Sequence, residues 1–320
     1  MDATFTLLQK ALPGLQKNIL LKNYTSFKIG GPAEYFLVTH NKNTIIKAIA
    51  LAKKIQIPVF VLGGGTNLLV SDKGVKGLVV KIENHHPIAQ KNNSCIEAGA
   101  GVLMKSLVSF SVEKSLQGLE WAGGLPGTFG GAIRGNAGAF GGETQDSILE
   151  VEALDEHLQV KKLNNKRCQF SYRNSVFKEK KWIVLSAKLQ LKKGDKKELG
   201  RLAASHIAYR KQKHPLEYPS AGSVFKNVDF KKIPARFQTV FLDKVKKDPF
   251  EIVPAAWFII GAGLTGKKIG RAEVSKKHSN YIINLGGAKA TDVLKLIALV
   301  KKQIKKKYGI VLEQEVQFLK

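Results

Sequence analysis

The segment GGLPGTFGGAIRGNAGAFGGE, residues 123–143, holds nine of the chain's 30 glycines. It concentrates backbone freedom at one place in a sequence whose composition is otherwise ordinary. The remaining residues have to build the core. At 320 residues the chain has room for roughly two domains. A hydrophobic fraction of 44% is that of a globular protein and excludes disorder.

No run of apolar residues reaches the length of a spanning helix. The start, MDATFTLLQKALPGLQKNILLKN, lacks the apolar core and cleavage site of a secretory signal, so a soluble, cytoplasmic protein is expected. Cys95 and Cys168 have neither disulfide nor metal spacing, and the seven histidines form no HExxH motif. The net charge of +27 admits nucleic acid, acidic lipid or an anionic small substrate as partner. Its densest cluster, KKQIKKKYG, falls on an amphipathic pattern with Val293, Leu296, Ile297, Val300 and Ile304 inward, so those lysines read as a wet helix face. No nucleic-acid-binding motif accompanies them.

Strands are expected at Ala33–Val38, Pro58–Val70, Gly77–Ile82, in SILEVEALD, QVKKL, KWIVLSAKLQL and NYIINLG, and in the terminal GIVLEQEVQFL. Helices are expected at Asn43–Ile55 with Asn43 or Thr44 as cap, at Gly101–Ser115 with Gly118 as stop, near Lys196–Lys211, and at Ala255–Gly261. SAGSVFKN reads as turn-rich. The class is α+β or α/β with at least two lobes and a boundary near His206–Pro219.

GAGLTG at Gly261–Gly266 matches the dinucleotide pattern GxGxxG, but its context argues against that use. WFII follows Pro254-Ala-Ala and suits a helix start. No long helix follows, and no acidic residue stands ~20 positions on. Two other loops are better placed. Gly63, Gly64 and Gly65 directly follow a strand, with Thr66 and Asn67 beside them, and Pro126-Gly127-Thr128 opens the second glycine-rich surface. Glycines let successive N–H groups converge on an anion and let a phosphate approach the backbone. Two such loops point to a long, twice-phosphorylated cofactor.

NYTSFKIGGPAEYF, VFVLGGGTNLLVSDKGVKGLVV, GLEWAGGLPGTFGGAIRGNAGAFGGE, FSYRNSVFK, LEYPSAGSVFKN, AAWFIIGAGLTGKKIGRAEVSKKHSNYIIN and VLEQEVQFL stand in the order of one known family. From about Asn23 to Leu319 the chain resembles the UDP-N-acetylenolpyruvoylglucosamine reductase (MurB) family of cell-wall flavoenzymes. That resemblance implies an α+β fold. FAD would be bound between two subdomains of the vanillyl-alcohol-oxidase type, residues 1–86 and 87–205. Residues 206–320 would form a substrate-binding domain whose last strand returns to the active site. The implied reaction is NADPH-dependent reduction of UDP-N-acetylenolpyruvoylglucosamine to UDP-N-acetylmuramate in peptidoglycan precursor synthesis, by a monomer with no specific nucleic-acid or membrane partner.

Carried over motif by motif, FAD would lie on Gly63, Gly64, Gly65, Thr66, Asn67, Gly127, Thr128, Gly130, Gly131, Asn136 and Gly138. Arg173, Ser223 and Glu315 take the catalytic roles: a planar fork on the substrate carboxylate, the proton donor to carbon, and a protonated carboxyl that hydrogen-bonds the carboxylate. A serine is a poor acid alone and needs groups behind it. Lys213, Asn227 and His278 correspond to the surroundings of the UDP-sugar diphosphate.

The chain departs from the family's pattern at Ile260, Gly261 and Thr265, at Val228 where Pro is common, and at Gln317 where many members carry Arg. The short connection from Ser186 to Ser220 resembles the subgroup without an extra substrate-covering loop. The alternatives are another FAD-dependent small-molecule oxidoreductase and a basic nucleic-acid-binding protein. Neither His nor Cys occurs within Gly123–Glu143 to tether a flavin, which disfavours the oxidases that do so.

Overall fold

The computed structural model describes residues 2–83 and 88–320, and the chain packs as two compact units. The expected boundary between residues 86 and 87 lies outside the described residues.

The first unit comprises Met1–Ile19, Ala33–Gly64 and Lys76–Tyr209. Its first sheet runs in the order Gln16–Leu20, Pro32–Thr39, Val75–Ile82, Val59–Leu62, the last two parallel. The helix Lys42–Lys54 packs on it through Ala48 and Ala52, against Leu78 and Val80. Its cap is Asn41, not Asn43 or Thr44. The Asn41 backbone is extended, and its Oδ1 accepts the N–H of Asn43 at 2.7 Å and of Thr44 at 3.4 Å.

The second sheet is antiparallel, in the order Val160–Asn164, Ile148–Leu154, Ile183–Gln190, Cys95–Gly99, Ala89–Gln90. Side chains alternate across it. Val151, Ala153, Ile96 and Ala98 face the core with Leu107, Phe129 and Ile133. Glu150 pairs with Lys188 at 3.1 Å and Glu97 with Lys91 at 2.9 Å. The helix expected at Gly101–Ser115 spans only Met104–Glu113. Ser115 takes φ +56 and ends it before Gly118 is reached.

The second unit comprises Leu20–Pro32, Gly65–Val75 and Arg210–Lys320. Its antiparallel sheet has the order Ser220–Ser223, Tyr281–Asn284, Ala272–Val274, Lys268–Ile269. The helix Ala290–Tyr308 buries Val293, Leu296, Ile297, Val300 and Ile304, as its pattern predicts, and exposes Lys302, Lys305, Lys306 and Lys307. Each buried aliphatic side chain contributes about 1.5–3 kcal/mol.

Two expectations need correction here. SAGSVFKN is no mere turn: Ser220–Ser223 is a strand. The strand expected to run into the three glycines does so as Val59–Leu62, and a short strand, Leu68–Val70, follows them. Of the terminal segment only Gln317–Leu319 is a strand, parallel to Leu68–Val70, with a single bridge from Gln314 to Phe225. GAGLTG follows a helix, Ala255–Gly261, and turns through Gly263 and Gly266 at φ +68 and +76 into Lys268–Ile269. The strand that a dinucleotide fold requires before its glycines is absent there. Among the described residues no helix is long and apolar enough to cross a membrane.

Candidate active site

In the first unit the glycine-rich loops pack on each other. A Cβ at Gly63 would stand 2.5 Å from Thr128 Oγ1, and one at Gly64 would stand 2.7 Å from Gly127 Cα and 3.3 Å from the Thr128 nitrogen. At Gly64 the neighbours are backbone atoms, so the facing loop requires glycine there, whereas at Gly63 the close atom is a side-chain hydroxyl. The second loop is fixed in turn. Met104 N–H donates to the Gly127 carbonyl at 3.0 Å, and Phe129 and Gly130 donate to Val102 and Ala100 at 2.8 and 2.9 Å. Gly130 could bear no side chain, since its Cβ would lie 2.6 Å from that of Ala100. Gly131 has ordinary room.

The Gly64 backbone and the Thr128 nitrogen therefore lie close together, and among the described residues neither N–H is given to a protein acceptor. Adjacent unspent N–H donors between close-packed glycine loops fit a diphosphate. This is the feature that suits the chain to FAD.

Asn136 does a different job from the cofactor contact its motif suggests. It is fully buried in the left-handed region, φ 40 and ψ 61. Its Nδ2 donates to Glu143 Oε2 at 2.9 Å and to the Ser171 carbonyl at 3.1 Å, and its Oδ1 accepts from Gln145 N–H at 3.1 Å. Its side chain is occupied within the protein, so it braces the loop. That brace reaches Arg173. Arg173 occupies the tight turn closed by Ser171 and Asn174, at φ +57, a conformation costing a non-glycine residue about 1–2 kcal/mol. Its Nη2 donates to the Gly138 carbonyl at 2.8 Å, and a Cβ on Gly138 would come within 3.3 Å of Nη1.

The second unit holds the other predicted residues. Gly65 sits at φ +62 with its α-carbon against the Tyr24 carbonyl, and its own carbonyl accepts Ser26 N–H at 3.1 Å, so its glycine is demanded by the Tyr24–Ser26 turn. Thr66 is half-buried next to it. The Asn67 Nδ2 donates to the Glu315 carbonyl at 3.2 Å, while Asn67 O accepts Gln317 N–H at 3.1 Å. Asn67 thus anchors the strand that carries Glu315. Gln317 Nε2 adds a bond to the same carbonyl at 3.3 Å.

Ser223 ends its strand after a register shift, with Gly222 at φ +77. The shift sets Ser223 opposite Tyr281. Val224, one residue on, accepts Glu315 N–H at 2.8 Å. Ser223, Glu315 and Tyr281 are therefore neighbours, although Glu315 lies 92 positions beyond Ser223 (315 − 223). Asn227 Oδ1 accepts Ala255 N–H at 3.3 Å and so caps the helix Ala255–Gly261. His278 packs edge-on to His214, ring centroids 5.4 Å apart, while Lys213 is exposed at the end of the helix Lys196–Lys213. Thr265, one of the departures, shares a 2.8 Å hydrogen bond with Ser279.

Sequence reasoning missed the group behind Ser223. Tyr281 is 8% exposed; it stands opposite Ser223 in the sheet, and its hydroxyl lies 3.1 Å from His214 Nδ1. Burial pushes the Tyr281 phenol above its ordinary range, and Arg210 opposes the rise. Burial, with His278, Arg210 and Lys277 adding to it, pushes His214 down to about 4. Nothing in NYIIN marks its tyrosine as more than a strand residue.

Residues 33–163 match the sequence profile of the FAD binding domain, and residues 214–319 that of the UDP-N-acetylenolpyruvoylglucosamine reductase C-terminal domain. The UDP-N-acetylenolpyruvoylglucosamine reductase of Caldanaerobacter subterraneus subsp. tengcongensis is 40% identical over 305 residues, 95% of this chain and 93% of that protein. The chain belongs to the UDP-N-acetylenolpyruvoylglucosamine reductase family. A Clostridium novyi reductase of that name is 38% identical, over 95% of this chain and 92% of its own length. The crystal structure of the Thermus caldophilus reductase covers 96% of this chain and 100% of its own, with a TM-score of 0.74 and 29% identity. The family's α+β architecture and its FAD-binding domain are thereby established for this member.

Proposed function

We propose that this chain reduces the enol-ether double bond of UDP-N-acetylenolpyruvoylglucosamine, forming UDP-N-acetylmuramate for peptidoglycan synthesis. It is an FAD-dependent oxidoreductase, and NADPH is the reductant expected of its family. The observation that supports the reading is the backbone bond from Glu315 N–H to the Val224 carbonyl, which brings the segment of Glu315 next to that of Ser223. When bound, FAD would supply a two-electron hydride carrier between NADPH and the enol ether.

The chain's own residues do the rest. The N–H groups of Gly64 and Thr128 hold the cofactor's diphosphate, with Gly63, Gly127, Gly130 and Gly131 permitting the close loop packing. Gly65 and Thr66 are assigned to the same cofactor. Arg173, prepositioned by its strained turn and by Gly138, is assigned the substrate carboxylate, where negative charge grows as hydride arrives. Glu315 is assigned a hydrogen bond to the same group. Ser223 delivers its hydroxyl proton to the carbon next to the carboxylate. Lys213 is assigned a diphosphate oxygen of the sugar nucleotide; Asn227 and His278 shape that surface. Residues 206–320 act as the substrate-binding domain. Two buried free thiols, Cys95 and Cys168, accord with a reducing cytoplasm.

The test separates the half-reactions of Ser223→Ala. NADPH should bleach the flavin at the native rate, since no serine proton enters that step. Reoxidation by the enolpyruvyl substrate should slow about 10²–10⁴-fold. Equal slowing of both steps, or native reoxidation, removes Ser223 from the role.

A further inference from the structure

A serine that protonates carbon has to recover a proton, and an alkyl hydroxyl is too weakly acidic to act without a partner. The second unit places one group opposite it. Ser223 and Tyr281 are opposed residues of paired antiparallel strands, so their side chains stand on the same face of the sheet. On its far side the Tyr281 oxygen lies 3.1 Å from His214 Nδ1. The Tyr281 ring is held by His278 at 4.9 Å and by His214 at 5.2 Å between centroids. The backbone fixes the arrangement: Tyr281 N–H donates to the His278 carbonyl at 2.9 Å, and Val224 N–H to the Asn280 carbonyl at 2.8 Å.

Resting on the reading of Ser223 as the acid, we propose that Tyr281 is the positioning residue that returns the proton, with His214 linking it to solvent. As the Ser223 O–H bond breaks and a C–H bond forms on the substrate, the Tyr281 O–H proton passes to the Ser223 oxygen. The charge then rests on the Tyr281 oxygen, within the field of the Arg210 guanidinium. Arg210 is 9% exposed and remains on the protein as counter-charge. One solvent proton, taken up through His214, restores the phenol. One proton enters and one leaves to carbon, so each turnover balances.

The charged and titratable groups facing this chain come from five segments. The helix Lys196–Lys213 gives Arg210, with His214 just beyond its end; the loop before Tyr281 gives Lys277 and His278; Glu315 comes from the C-terminal segment; Glu217 pairs with Lys277 at 3.3 Å; and Lys246 acts on His278. Between pH 6 and 9 the two members that titrate stay in one state, because His214 is pushed down and Tyr281 up. The relay is therefore silent in an ordinary pH profile.

The experiment makes it audible by changing the acidity of the phenol in the holoenzyme. Replacing Tyr281 with 3,5-difluorotyrosine keeps the hydroxyl but makes it more acidic. Substrate-driven flavin reoxidation should then acquire a fall at high pH, beginning below any limb of the native enzyme, while NADPH reduction keeps its native profile. Tyr281→Phe should slow reoxidation about 10²-fold, the low end for a positioned acid–base group, and leave reduction unchanged. Nitrogen NMR of labelled protein supplies a readout apart from activity. The His214 Nδ1 resonance, assigned with His214→Gln, should move in Tyr281→Phe as its hydrogen bond is lost. A purely structural tyrosine would leave the pH profile of the fluorinated protein unmoved, and that outcome overturns the proposal. Native reoxidation in Tyr281→Phe with slow reoxidation in Ser223→Ala overturns the relay alone. Native reoxidation in both overturns the relay and the acid assignment together.

Discussion

Gly64→Ala is the sharpest probe of the FAD surface, because it adds one methyl group where the backbone has no other objection. Gly64 is not among the positive-φ residues, so alanine is conformationally acceptable there. The added Cβ, however, would stand 2.7 Å from Gly127 Cα, and its other close neighbours are also backbone atoms that no side-chain rotation can clear. Relief to an ordinary 3.4 Å contact requires the loops to part by about 0.7 Å (3.4 − 2.7). On the proposed placement of FAD, two charge-assisted hydrogen bonds to a phosphate, at about 1.5–3 kcal/mol each, would depend on that spacing. Their loss amounts to about 3–6 kcal/mol, or roughly 10²–10⁴-fold in FAD affinity. The matched control is Gly263→Ala, which has the reverse character. Its φ of +68 strains alanine by about 1–2 kcal/mol, but nothing lies within 4 Å of the new Cβ. The assay is flavin per polypeptide, from the visible and ultraviolet absorbance of purified protein, with circular dichroism to confirm folding. Folded Gly64→Ala should be nearly colourless and Gly263→Ala fully yellow. A yellow Gly64 variant beside a colourless, folded Gly263 variant would refute the placement of the cofactor.

Arg173→Lys keeps the charge but loses the planar fork, so reoxidation should slow about 10–100-fold with flavin content intact; unchanged reoxidation would remove Arg173 from the carboxylate. Asn136→Ala strands the buried partners of its amide, and unfolding in urea should show a loss of about 2–4 kcal/mol; a loss below 0.5 kcal/mol would contradict the bracing role. His214 is depressed from 6.5 to about 4 in the folded state, so the unfolded chain takes up its proton first. Stability present above pH 6.5 should therefore fall as pH drops toward about 4, and His214→Gln should show a shallower fall over that window in thermal melts. The +27 charge should give only weak DNA binding that disappears near physiological salt, checked by fluorescence anisotropy; selective binding that survives there would reopen the nucleic-acid reading.

Sequence alone determined what depends on local order and residue type. The helical period of Val293, Leu296, Ile297, Val300 and Ile304 announced a buried face, because a 3.6-residue repeat holds whatever the helix packs against. The failure of GAGLTG as a nucleotide motif was equally legible, since Pro254 and two alanines start a helix by local propensity. The ordered motifs were enough to place the chain in its family. Tertiary structure decided what depends on distant segments meeting. Gly64 and Gly65 look equivalent in sequence, yet one is required by Gly127 and the other by the Tyr24–Ser26 turn. Asn136 looks like a ligand group, but it is fully buried and its amide bonds Glu143 and Ser171. The tyrosine behind Ser223 stayed hidden for the same reason. It is a strand residue 58 positions away (281 − 223), and only sheet register sets it opposite the serine. Propensity and spacing are properties of one stretch of chain, whereas hydrogen-bond partners and close backbone contacts belong to the pairs that folding brings together.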